Sequence, residues 1–285
     1  MKLVLKNTDH SANTRINILK KEVPCLDAAW HYHSQYELLY ISKSTGIRFV
    51  GDSVSQFSPG DLVLVGPYLP HLWRNDANYY TGDDSVSVKT IVTKFNKNFI
   101  GEGTFDNPEF SEINKMLEES KYGICFGNDT SKSLHDEIME LSNLNPALQS
   151  IKLLDILNRL STTDDKTVLS SSDMRQYTSE NSDRIDVVLK YISDNYASYI
   201  GLNDVAEIAC MTTNSFCRFF KKMTNKSFTQ FLNEVRIRNA TRLLIQGSLP
   251  VSEVCYIVGY NSITNFNKQF KQIMNCTPKG YRQTI

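Results

Sequence analysis

Two stretches near the C-terminal end carry the same pattern, and few folds are open to a chain that repeats it. In the first, Val205, Ala206, Ile208 and Ala209 give a short helix an apolar side, with Asn203 as its predicted cap. Cys210-Met211-Thr212 breaks the period, and Thr212 or Thr213 can cap a second helix. Phe216, Phe219 and Phe220 of that helix face inward, leaving Thr213, Asn214, Ser215, Arg218, Lys221 and Lys222 outside. In the second stretch Val251, Val254, Cys255, Ile257 and Val258 form the apolar face, with Ser252 as predicted cap. Gly259-Tyr260 then turns, glycine being free to take a left-handed conformation. Ser262 caps a further helix with Phe266 and Phe270 inward and Thr264, Asn265, Asn267, Lys268 and Lys271 outward. Between the two lies one long helix, predicted over 228–245, with Gly247 just beyond its end. A short helix, a tight turn and a second helix wearing polar and basic residues is the helix-turn-helix pattern. Any pair of antiparallel helices can imitate one such motif, whereas two in tandem across a helix of set length are far more specific.

Charge supports a polyanion partner for this end alone. The net charge is zero, but residues 182–285 hold 13 Lys/Arg against 7 Asp/Glu, and residues 1–181 the remaining 18 and 24. A basic C-terminal part is hidden behind an acidic N-terminal one. No apolar run approaches the ~20 residues of a membrane helix, and Met1 to Lys6 lacks the apolar core of a signal peptide, so a cytoplasmic protein is expected. The six cysteines show no C-x-x-C pair and read as small buried thiols, not a disulfide framework or zinc site.

The C-terminal residues resemble the AraC/XylS family of regulators. The likeness rests on Asp204-Val-Ala-Glu-x-Ala, Met211-Thr-x-x-x-Phe216-x-Arg-x-Phe220-Lys-Lys and Phe228-x-x-Phe-Leu232-x-x-x-Arg236. It continues through Ala240-x-x-Leu-Leu244, Val251-Ser-Glu-Val-x-x-x-Val-Gly-Tyr260, Phe266-x-x-Gln-Phe270-Lys and Thr277-Pro-x-x-Tyr281-Arg282. One departure is Cys210, where the family often has a smaller residue. The resemblance implies a DNA-binding double helix-turn-helix over 184–283, with both recognition helices in successive major grooves ~34 Å apart on double-stranded DNA, covering roughly 15–20 base pairs. Arg218 is then the candidate for guanine, Asn214 and Asn265 for adenine, and Lys221, Lys222, Lys268 and Lys271 for phosphates or simply for solvent. Thr213, Ser215, Thr264 and Asn267 share the same outer faces.

The first 100 residues read as short strands: 37–41, 47–50, 61–65 and 86–92, separated by Ser44-Thr-Gly46, Gly51-Asp52, Ser58-Pro-Gly60 and Gly82-Asp-Asp84. An antiparallel sandwich or barrel follows. His31-Tyr-His33 on a strand points both rings to one face, Glu37 shares it, and His71 with Asn75 follows Gly60-Asp61. The spacing resembles the two cupin motifs, although Tyr68 stands where a glycine is usual. The resemblance implies a cupin-like antiparallel β-barrel whose His31, His33, Glu37 and His71 either hold a divalent transition metal or line a pocket by hydrogen bonding. Trp30, Tyr32, Tyr40, Trp73 and Arg74 lie near these motifs, and Trp30, Tyr40 and Trp73 either join the lining of a site for a small polar ligand such as a sugar or pack in the barrel core and rim.

Residues 101–162 turn helical. Pro108 is a predicted first helical position, and 147–160 is apolar over more than one ~100° stripe, suiting either a second subunit or burial within one chain. The polar stretch 163–183 reads as a linker. The sequence therefore predicts a multidomain α and β chain: barrel at 1–100, helical dimerisation segment at 101–162, linker at 163–183 and all-α double helix-turn-helix at 184–283. It predicts an effector-responsive, homodimeric transcription regulator, an activator by resemblance and not an enzyme. A cupin isomerase or dioxygenase with a helical appendage is the competing class, and an enzyme has no need of the tandem motif.

Overall fold

The computed structural model describes residues 15–26, 29–82, 86–174 and 182–283. The chain divides near residue 177 into two compact units. The N-terminal unit opens with seven strands: β1 (Ile16–Val23), β2 (Tyr36–Lys43), β3 (Gly46–Val50), β4 (Ser53–Phe57), β5 (Asp61–Val65), β6 (His71–Asn75) and β7 (Val88–Phe95). There follow α1 (Ser111–Glu119), β8 (Ile124–Phe126), α2 (Asn128–Ser133), α3 (His135–Glu140), α4 (Pro146–Thr162) and β9 (Lys166–Val168). One sheet runs β1-β7-β2-β5-β8-β9 and the other β4-β3-β6.

The predicted barrel is not closed. Closure needs continuous strand pairing around the circumference, and among the described residues the two sheets stay separate, with an isolated bridge tying His71 of β6 only to His31 in the segment before β2. The space between them fills with side chains instead. Strand β2 is buried on both faces from Tyr36 to Ile41. Leu39 and Ile41, with Val63, Val65 and Val92 of neighbouring strands, pack toward Val50, Phe57 and Trp73 of the small sheet. Tyr36, Leu38 and Tyr40 turn the other way, onto a cluster that includes Met116 of α1 and Leu153, Ile156, Leu157 and Leu160 of α4.

Buried polar bonds tie this unit together. Arg48 of β3 pairs with Asp61 of β5 and donates from Nη2 to Cys125 Sγ of β8 at 3.1 Å, so one guanidinium spans both sheets. Burial pushes the Asp61 carboxyl up despite the opposing Arg48 charge. The stretch predicted to be a linker is partly built in: β9 extends the large sheet, and Asp52 accepts from Ser170 Oγ (3.0 Å) and the Ser171 backbone N–H (2.8 Å). Residues 175–181 of that stretch lie outside the described residues. Pro108 opens a 3₁₀ turn that runs into α1. Helix α4 has Asn145 as N-cap and buries one face only, leaving Leu148 47% and Ile151 64% exposed.

The C-terminal unit is helical: α5 (Ser182–Asn195), α6 (Leu202–Ile208), α7 (Thr213–Thr224), α8 (Phe228–Gln246), α9 (Val251–Ile257), α10 (Ile263–Met274) and α11 (Pro278–Gln283). Two predicted caps are displaced. Helix α6 starts after Gly201, whose N–H donates to Asp204, and not at Asn203. Helix α9 starts after Pro250, two residues earlier than a Ser252 cap allows. Thr212 and Ser262 cap α7 and α10, accepting from the N–H of Ser215 and Asn265.

The repeat reaches beyond the two motifs. Each of α7 and α10 ends in an asparagine of left-handed conformation, Asn225 (φ 56°) and Asn275 (φ 58°). Each then runs into a capped helix whose aromatic closes on the last inward phenylalanine of the helix before it: Phe231 lies 5.4 Å from Phe220, and Tyr281 5.8 Å from Phe270. Helix α11 is thus the counterpart of the start of α8. No helix among the described residues is long and apolar enough to cross a membrane.

The Arg48–Asp61 bond yields a stability test. Asp61→Ala removes the carboxylate beside a buried guanidinium and should cost about 3–5 kcal/mol in urea unfolding, while the double replacement Arg48→Met, Asp61→Leu should recover most of it. Equal losses for the single and double variants would remove the ion pair as the cause.

Candidate nucleic-acid interface and buried histidine cluster

On α7 the inward phenylalanines fix which side meets solvent. Asn214, Arg218, Lys221 and Lys222 are exposed, Thr213 and Ser215 half-buried. On α10 Thr264, Asn265, Asn267, Lys268 and Lys271 are all exposed. The side-chain hydroxyl of Thr212 reaches Ser215 Oγ at 3.0 Å, tying the first turn of α7 to its cap. No ion pair joins Arg218, Lys221, Lys222, Lys268 or Lys271 to a carboxylate among the described residues. Both faces therefore present donors and positive charge without a neutralising partner, which is what a phosphate backbone and base edges require. Cys217 is also exposed on α7, one position before Arg218, and the reading of the cysteines as uniformly buried fails there and at Cys210.

The turns before these helices differ in an instructive way. Cys210 adopts φ 53° and Gly259 φ 89°. A Cβ on Gly259 would lie 2.7 Å from the Ala197 carbonyl oxygen, so that turn needs glycine twice over, for its dihedral and for its space. Arg236 of α8 braces the same region, donating from Nε to the Tyr196 carbonyl at 2.7 Å and lying over the Tyr260 ring.

In the N-terminal unit His31, His33, Glu37 and His71 converge, with one potential ligand atom from each lying within 4.8 Å of all the others. Each imidazole is held through Nδ1 by a backbone carbonyl two residues away: Ala29 for His31, Gln35 for His33 and Leu69 for His71. Donation from Nδ1 leaves Nε2 as the acceptor, and this anchoring is the usual outer-shell arrangement of metal-binding histidines. His71 Nε2 is buried with no hydrogen-bond partner and lies 3.9 Å from Glu37 Oε1. His33 Nε2 lies 3.0 Å from Glu37 Oε2. Both contacts of the His33 ring are acceptors, and a neutral imidazole has one proton; a cation at Nε2 would remove that conflict.

Burial lowers His31 to about 4 against the pull of Glu37, and lowers His71 well below its ordinary value, so both rings are neutral near pH 7. Burial alone would raise the Glu37 carboxyl; the hydrogen bond with His33 and the surrounding imidazoles and Lys94 hold it well below the usual carboxylate range. Three nitrogen donors and one carboxylate, with His31 and His71 neutral and Glu37 ionised, are a donor set that fits a divalent transition metal.

The other predicted lining residues divide. Trp73 stands beside His71, ring centroids 5.8 Å apart, and Trp30 is buried next to His31 in the chain. Tyr40 does not join them. It is an odd number of residues from Glu37 on β2, so it faces the helices, where its hydroxyl meets His135 Nδ1 at 2.6 Å. Asn75 accepts from the Leu26 N–H and donates to the Thr45 carbonyl, a structural duty outside the cluster. The residue missed from sequence is Lys94 of β7. It is 4% exposed, with Nζ 3.3 Å from Glu37 Oε2. Only the β2–β7 register, in which Glu37 lies opposite Lys94, could have exposed it.

Residues 205–284 match a helix-turn-helix domain family. Over 256 residues the chain is 30% identical to an HTH-type transcriptional regulator of Bacillus subtilis (strain 168), YdeC, covering 89% of this chain and 85% of that one. It is 20% identical over 280 residues to the HTH-type transcriptional activator RhaS of Escherichia coli (strain SE11), covering 96% and 94% respectively. Among solved structures, the DNA-binding domain of AdpA in complex with a target DNA matches with 25% identity and a TM-score of 0.33, over 34% of this chain and 87% of that chain. With a regulator of that identity aligned along most of its length, and two capped, basic-faced helix-turn-helix units, the chain belongs to the AraC/XylS family of DNA-binding transcriptional regulators.

Proposed function

We propose that this regulator is a homodimeric activator whose N-terminal sandwich senses a small polar effector and whose α7 and α10 read double-stranded DNA. The observation that carries the reading is the coexistence of two unneutralised recognition faces with a buried, convergent polar cluster in the other unit. A cluster of three imidazoles, a carboxylate and an ammonium is costly to bury for stability alone. The name of RhaS, an activator, supports activation as the direction of control.

On the DNA side, Arg218 is assigned base readout, since a guanidinium can bond guanine O6 and N7 together. Asn214 and Asn265 are assigned adenine contacts. Lys221, Lys222, Lys268 and Lys271 are assigned to phosphates, with Thr213, Ser215, Thr264 and Asn267 completing the two faces. On the sensor side, His31, His33, Glu37 and His71 would hold a divalent transition metal, whose Lewis acidity would fix an oxygen-bearing ligand beside Trp73. Residues 101–162 are assigned to dimerisation, supported by the exposed Leu148 and Ile151 on α4.

Three measurements test these assignments. In gel-shift titrations on the chain's own upstream region, Arg218→Ala should cost about 1–3 kcal/mol and relax preference at one base pair. Lys222→Ala should weaken specific and random DNA alike and flatten the salt dependence; equal losses from Arg218→Ala on both DNAs would reject base readout. Protein purified without chelator and reconstituted with zinc should carry about one equivalent per chain, and less than ~0.1 equivalent would reject the metal. Sedimentation at micromolar concentration should show a dimer that Ile151→Asp shifts to monomer, and a wild-type monomer would remove the assembly.

A further inference from the structure

The inference concerns Lys94, and it rests on the metal reading of the histidine cluster. Lys94 sits on β7 directly opposite Glu37 of β2 on one side and opposite Asn17 of β1 on the other. Residues paired in this way point to the same face of a sheet. Asn17, Lys94 and Glu37 therefore form a row across three adjacent strands: an amide, an ammonium and a carboxylate. The Asn17 amide Nδ2 is buried without a hydrogen-bond partner, and Lys94 has its ammonium on Glu37.

Glu37 is the one carboxylate of the cluster and carries two duties. It supplies the counter-charge of Lys94, and it is the sole anionic donor among the four candidate ligands. It cannot fully serve both. Once its charge is committed to a divalent cation, the Lys94 ammonium is left buried without its counter-ion, and the neutral imidazoles of His31 and His71 offer none. An uncompensated charge in such surroundings is strongly unfavourable. The missing negative charge has to come from whatever else enters, and the free Asn17 amide N–H stands next to Lys94 to receive the same group.

We propose that Lys94, backed by Asn17, makes the pocket select a small organic acid bearing a hydroxyl beside its carboxylate, such as a hydroxy acid or sugar acid, over a neutral polyol of equal size. The carboxylate takes the ammonium and the amide that Glu37 leaves unserved. The same competition for Glu37 makes Lys94 an internal rival of the metal.

The experiment uses the full chain, freed of metal and titrated first with zinc alone and then, once loaded, with glycolate or with ethylene glycol as its neutral counterpart. Binding is read by calorimetry and by the shift in Tm. The expected result is that loaded wild-type protein binds glycolate at least ~10-fold more tightly than ethylene glycol, and that Lys94→Met abolishes the preference. Lys94→Met should also take up zinc more tightly than wild type, and Lys94→Arg should retain a carboxylate preference. Zinc binding by wild-type protein without a preference for glycolate overturns this inference and leaves the metal reading standing, as does an undiminished preference in Lys94→Met. Absence of zinc binding overturns the metal reading and this inference together. Should Lys94→Met fail to fold, the wild-type comparison and Lys94→Arg still decide.

Discussion

The two-residue period of β2 governs the N-terminal unit. This strand lies inside the larger sheet and is covered on both sides, so each successive side chain is assigned to one of two separate interiors. Even-numbered Tyr36, Leu38 and Tyr40 meet the helices, and odd-numbered Glu37, Leu39 and Ile41 meet the smaller sheet. A slip of one residue would exchange the two sets and put Leu38 where the carboxylate stands. The polar cluster follows from this placement. A carboxylate fixed in the interior of a sandwich must be surrounded by donors or cations, and His33 and Lys94 supply them from the loop before β2 and from the strand beside it.

The C-terminal unit rests on a different economy, in which local backbone conformation does the positioning. Left-handed residues close both recognition helices and both of the tight turns before them, and the two turns tolerate different residues for a spatial reason. Gly259 lies against the backbone of Tyr196 and Ala197, whereas Cys210 is exposed and meets only the local cost of a left-handed conformation. Tyr68 of the N-terminal unit accepts the same cost at φ 61°, in a position where a glycine would have been free of it.

What could be read from the sequence sorts by the distance over which the deciding interaction acts. Helix-turn-helix geometry is local, with caps one turn away and inward phenylalanines three or four residues apart, so the outer faces of α7 and α10 were legible residue by residue. The four-residue histidine cluster was legible because strand parity and a short spacing carry it. Lys94 was not, since its meaning depends on pairing with a residue far earlier in the chain. Nearness in sequence suggests a shared face for Tyr40 and the cluster, but the parity that puts Glu37 among the histidines turns Tyr40 toward the helices. The short strands β8 and β9 gave no signal of their own; three residues cannot show a period, and Lys166–Val168 becomes a strand only because β8 offers it an edge. The open edge of the smaller sheet, which leaves the barrel incomplete, is likewise a matter of partners and not of composition.

Helix α8 belongs to both halves of its unit. Its first turn packs on the phenylalanines of α7, its later residues Ile237, Ala240 and Leu244 lie in the core beneath α10, and Gln230 and Gly247 secure its two ends. A rod fixed at both ends is a ruler. On DNA, each base pair inserted between two half-sites would move the second by about 3.4 Å and turn it by roughly 34–36° around the axis, a displacement the rod has no joint to absorb. Operators of such a protein can drift in sequence one base pair at a time, each change costing a share of the affinity. With α7 and α10 seated together on one operator, as proposed above, spacing would be held more tightly than sequence, and a one-nucleotide insertion would weaken a site more than most single substitutions.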